Sequence, residues 1–110
     1  MALSKEPATR WAWVEVDQGA LRRNVRAFKN LLSPGQRLCC VVKADAYGHG
    51  AAQCAKIMQA AGADMFAVPT LDEGIELRRC GVKIPILMLS EPPLSAIDLL
   101  LEYQVMPSLY

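Results

Sequence analysis

Four short apolar runs, at residues 38–42 (LCCVV), 65–68 (MFAV), 84–89 (IPILML) and 105–106 (VM), recur roughly twenty to thirty residues apart. They constrain the fold more than anything else in the chain. Such runs without polar alternation are expected of strands covered on both faces, as in a parallel sheet. Between them lie segments with helical signals. Asp17 can cap a helix through about Leu32, with Leu21, Val25, Phe28 and Leu32 recurring every three or four residues and Pro34–Gly35 stopping it. A second helix is expected over 50–61, closed by Gly62. Thr70 and Glu73 have capping-box spacing and open a third, ending near Gly81. A fourth is expected over 93–103. Residues 11–16 (WAWVEV), aromatic and β-branched, read as a further strand.

Parallel βα units with right-handed crossovers build either an open doubly wound sheet or a (β/α)8 barrel. Periodicity does not separate the two. A complete barrel needs about 250 residues, so on that reading these 110 residues hold half of one. Half a barrel leaves strand edges unpaired and its inner face uncovered. The halt inside a strand pattern suggests a truncated sequence.

Composition narrows the function classes. Hydrophobic residues make up 53% of the chain, too many for a disordered segment. With 12 Lys and Arg against 11 Asp and Glu, no global field points to nucleic acid or an acidic membrane. Arg22, Arg23, Arg26 and Lys29 cluster on what reads as the solvated outer face of the first helix. No CxxC pair accompanies Cys39, Cys40, Cys54 and Cys80, and His49 is the only histidine, which argues against a zinc site and for free thiols in a reducing compartment. Neither a signal core nor a membrane-length apolar run is present, so a cytoplasmic location is expected.

The chemistry concentrates at residues 41–50, VVKADAYGHG. Lys43 directly follows an apolar strand, and strand ends are where folds of this kind build active sites. Desolvation there lowers a lysine pKa and frees a neutral amine for Schiff-base chemistry. Position alone favours the plainer reading, a strand-end lysine snorkelling to solvent. Tyr47 adds a phenol able to hydrogen-bond a phosphate. Gly48 and Gly50 allow close backbone approach before a helix N-terminus that favours an anion. An amine, a phenol and a pliant turn suit a phosphate-bearing carbonyl ligand, although a plain loop in an unrelated α/β domain has similar ingredients.

The segment VVKADAYGHG closely resembles the cofactor-attachment signature of alanine racemases. WAWVEVD, AGAD followed by FAV, LDEGIELRRCGV and PILML resemble that family's successive elements in order, over roughly residues 10–110. The resemblance implies the N-terminal part of a TIM-type barrel that binds pyridoxal 5'-phosphate. It makes residues 1–10 a flexible lead and residues 11–110 an incomplete barrel domain without the C-terminal β-domain. By the same resemblance Lys43 forms the internal aldimine and is one of two catalytic bases, removing the α-hydrogen of the D-enantiomer. Tyr47 helps bind the cofactor phosphate, and Leu89 packs near the cofactor. A plain core leucine is an equally good reading of Leu89. His49 shapes the turn, Asp45 orients the loop, Cys39 and Cys40 pack the strand, and Asp72 and Glu73 are helix-start charges favoured by the dipole.

The family's second base is a tyrosine of the C-terminal domain that reaches the site from a partner subunit. The arginine on the pyridine nitrogen lies on a later strand. Neither is in this chain. The resemblance thus implies a homodimeric isomerase that interconverts L- and D-alanine and supplies D-alanine for peptidoglycan, with no appreciable activity for these 110 residues alone. A racemase for serine or a broader set of amino acids, or a non-catalytic cofactor-binding piece, are the alternatives.

Overall fold

The computed structural model describes residues 17–42 and 49–109; the strand expected over 11–16 lies outside them. Helix α1 (Gln18–Leu31) is capped by Asp17, whose carboxylate accepts from Ala20 N–H at 3.1 Å. Then follow β1 (Cys39–Val41), α2 (His49–Ala61), β2 (Met65–Val68), α3 (Leu71–Arg79), β3 (Ile86–Met88), a single 3-10 turn (Leu94–Ala96), α4 (Ile97–Tyr103) and β4 (Val105–Met106). Gly62 closes α2 at φ 124°, a left-handed conformation open to glycine. The full capping box forms at α3, with Thr70 and Glu73 bonding each other's backbone N–H.

The strands pair in parallel in the order β1-β2-β3-β4. This order settles what periodicity left open. A doubly wound sheet reverses its strand order and carries helices on both faces. Here the order never reverses. Phe66, Val68, Ile86, Met88 and Val105 share one core with Ala55 of α2, Leu71, Ile75 and Leu77 of α3, and Leu100 of α4. Those helices therefore cover one face of the sheet, as in the wall of a (β/α)8 barrel. On the other face lie Cys39, Val41, Met65, Ala67, Leu87 and Met106. Of these only the small Ala67 is buried, and Val41 is 59% exposed.

Three expectations change. Residues 38–42 form a strand, but not one covered on both faces: Cys39 and Val41 are exposed because β1 is an edge strand with a bare second face among the described residues. Phe28 does not join the buried stripe of α1, where Val25 alone is buried, because α1 packs chiefly on α2. Lys29 is more than a solvated charge, since its ammonium bonds Asp64 Oδ2 at 2.6 Å.

Candidate active site

The two ends of the sheet are built differently. At the amino ends, two side chains tie down the approach to every strand. Asp64, just before β2, accepts at Oδ2 from Lys29 Nζ and from the backbone N–H of Leu38, each at 2.6 Å, with Leu38 leading into β1. The Lys29 ammonium, and then the Leu38 N–H, hold the Asp64 carboxyl below the usual aspartate range. Arg78, in the last turn of α3, donates to the carbonyls of Val82 (3.0 Å) and Ile84 (2.8 Å) ahead of β3. It also donates to Tyr103 (2.8 Å) and Gln104 (3.0 Å) ahead of β4. Sequence reasoning missed both roles. The acceptors of Arg78 are backbone carbonyls that leave no residue signature, and the only cue for Asp64 was its place in the AGAD segment.

Barrels generally build their active sites at the carboxyl ends of the strands. There, Val41, Ala67, Leu87 and Met106 stand in register across the bare face. The ladder runs a step further, with Val42 N–H donating to Ala67 O and Leu89 N–H to Val68 O, both at 2.8 Å. Ser90 Oγ donates to Pro69 O (2.8 Å) and Ser108 Oγ to Met88 O (2.6 Å), fastening the loops after β3 and β4 to neighbouring strands. Leu89 stands on this rim and is 43% exposed, so it is not a core leucine among the described residues.

Lys43, Asp45 and Tyr47 lie outside the described residues, so Leu89 is the one member of the expected trio whose position is seen. Lys43 follows Val42, the last described residue of this strand end, and is two positions past the exposed Val41. His49, six positions after Lys43, opens α2. Cys40 packs against the core, and its burial pushes its thiol pKa up, which fits a packing role and not a nucleophile. Among the described residues no group of His, Cys, Asp or Glu could hold a metal ion, and no helix is long and apolar enough to cross a membrane.

Exposed apolar side chains (Val41, Leu89) border the carboxyl ends of the strands, and the 13-residue helix α2 begins at His49, on a helix N-terminus of the kind that favours an anion.

Comparison with known proteins agrees with this layout. The family model for the alanine racemase N-terminal domain matches residues 16–110. An alanine racemase of Synechocystis is 56% identical over 78 residues, covering 71% of this chain and 21% of the relative. Alanine racemase 1 of Bacillus subtilis is 43% identical over 103 residues, covering 94% of this chain and 26% of the relative. The crystal structure of the Bacillus anthracis alanine racemase with bound L-Ala-P superposes with a TM-score of 0.85 at 39% identity, over 96% of this chain and 27% of that one. The chain thus spans about a quarter of the length of its relatives. With its family model matched from Val16 to Tyr110 and its parallel sheet superposed on solved barrels, the chain belongs to the alanine racemase family of pyridoxal-phosphate-dependent isomerases.

Proposed function

We propose that residues 11–110 are the cofactor-anchoring portion of an alanine racemase domain, with Lys43 as the covalent anchor for pyridoxal 5'-phosphate. The reading rests on one observation: VVKADAYGHG continues directly from β1 at the carboxyl edge of the sheet. The cofactor, when bound, supplies an electron sink for the charge left when alanine loses its α-hydrogen. Lys43 Nζ, once neutral, accepts that hydrogen as a proton from the D-enantiomer and returns it on the same face. The Tyr47 hydroxyl donates to the cofactor phosphate, and Leu89 gives the ring an apolar wall. Inverting the α-carbon requires a second acid–base group on the opposite face. By resemblance that group belongs to a domain outside these residues, so the 110-residue chain is expected not to racemise alanine appreciably. In the full-length form we infer a cytoplasmic homodimer that supplies D-alanine for peptidoglycan. Support for a small amino-acid-like ligand comes from a Clostridium difficile alanine racemase solved in complex with cycloserine, 38% identical over 83% of this chain.

The test is α-hydrogen exchange in D2O with the chain saturated in pyridoxal phosphate. D-alanine is expected to gain deuterium with its configuration retained, and Lys43→Ala to abolish the exchange. Exchange that survives Lys43→Ala, or rapid formation of L-alanine by the 110-residue chain, would overturn the assignment. D-serine in the same assay discriminates a broader racemase.

A further inference from the structure

The chain leaves β3 under close control from β2, and both are inner strands paired on each side. Leu89 N–H continues the ladder onto Val68 O at 2.8 Å. One residue on, Ser90 Oγ donates to the next carbonyl of the same strand end, Pro69 O, at 2.8 Å. The connection from β2 to α3 is only Pro69 and Thr70. Pro69 has no N–H to give. Thr70 N–H turns to Glu73 Oε2 at 3.2 Å, closing the capping box of α3. The backbone donors of this connection are thus absent or already engaged, and it is a side chain, Ser90, that bridges from the loop after β3. A single bond at Leu89 N–H would let the backbone pivot there. A second bond, one residue later and to the adjacent carbonyl, fixes the direction in which the Leu89 side chain leaves the rim. Glu91-Pro92-Pro93 then continues the chain with few backbone choices, so little slack downstream absorbs a change at Ser90.

We propose that Ser90 is a positioning residue of the cofactor site, its bond to Pro69 O setting how Leu89 meets the ring of pyridoxal phosphate. This role rests on the reading above that the cofactor is anchored at Lys43 and bordered by Leu89. Ser90 itself is half-buried with its hydroxyl committed to Pro69, so it acts through Leu89 and not by its own contact with the ring. Supporting bonds of this kind hold a binding side chain to the small tolerances that tight binding needs.

Titration of the 110-residue chain with pyridoxal phosphate tests this. Binding is followed by the visible absorbance and visible circular dichroism of the bound cofactor, and the Lys43 adduct is counted after borohydride fixation. Ser90→Ala is expected to weaken binding about fivefold and to diminish the visible circular dichroism band, which reports how the ring is held. Its far-ultraviolet spectrum stays that of wild type. Ser90→Thr, which keeps the hydroxyl, restores both binding and band. Leu89→Ala also weakens binding, and in that background Ser90→Ala adds less than about twofold, because the two residues act as one unit. A Ser90→Ala chain that binds as wild type does, or an effect undiminished beside Leu89→Ala, overturns the role of Ser90 and leaves the Lys43 anchor standing. A wild-type chain without a saturable Lys43 adduct overturns both.

Discussion

Replacing Arg78 should destabilise the fold more than any other surface-reaching polar change in the described residues. Its guanidinium donates four hydrogen bonds of 2.8–3.0 Å to carbonyls on the approaches to β3 and β4. Three of these are partly buried and the Gln104 contact is exposed, so water replaces that one at little cost. A hydrogen bond from a charged group contributes about 1.5–3 kcal/mol net, and all of them share the one side-chain ordering cost of about 2 kcal/mol. Arg78→Ala is therefore expected to cost about 3 kcal/mol, which for a domain of this size lowers Tm by about 12–24 °C. Arg78→Lys keeps the charge but not the planar fork, and should recover about a third of the loss. Burial lowers the pKa of Arg78, yet arginine stays protonated at neutral pH, so the effect is flat between neutral and mildly basic conditions. Urea unfolding followed by far-ultraviolet circular dichroism, at one fixed protein concentration, measures the difference. An Arg78→Ala chain within about 0.5 kcal/mol of wild type, or a lysine variant equal to arginine, would refute the clamp.

Gly74 lets α3 approach the sheet closely: a Cβ there would stand 3.2 Å from Val105 Cγ2 and 3.4 Å from Val68 Cγ2. Gly74→Ala should destabilise by about 1 kcal/mol, overpacking outweighing the gain in helix propensity, and should become stabilising in a Val105→Ala background. Thermal unfolding of the four combinations reads the change of sign. Asp64 governs acid sensitivity. Its folded-state pKa lies below the ordinary value of 3.8, so its stabilising effect is fully present above that value and is lost as the pH falls below it. Acid titration of unfolding should show a shallower loss below about pH 4 for Asp64→Asn than for wild type; equal slopes would contradict the Lys29–Asp64–Leu38 junction.

Local signals were legible in the sequence and neighbour-dependent ones were not. Thr70 and Glu73 lie within one turn, so their spacing alone announces the capping box that forms. The apolar run at 38–42 announces a strand, but whether Val41 is covered depends on a neighbouring strand and a second layer that no local pattern encodes. Phe28 fits the helical repeat of α1 and is still exposed, because α1 packs chiefly on α2. Arg78 escaped notice because its partners are carbonyls up to 26 residues away. The proposed attachment segment rests on its resemblance to the family, whereas the exposed placement of Leu89 emerges only from the ladder that continues from β3 onto Val68.

The most direct test of the central assignment is chemical mapping of the cofactor anchor. The chain is incubated with pyridoxal phosphate, the adduct is fixed with borohydride, and the modified peptides are identified by mass spectrometry. Saturable attachment at Lys43, sharply reduced by Tyr47→Phe at limiting cofactor and absent in Lys43→Ala, is the expected result. Attachment spread over Lys29, Lys56 and Lys83 to the same extent in wild type and Lys43→Ala would contradict it.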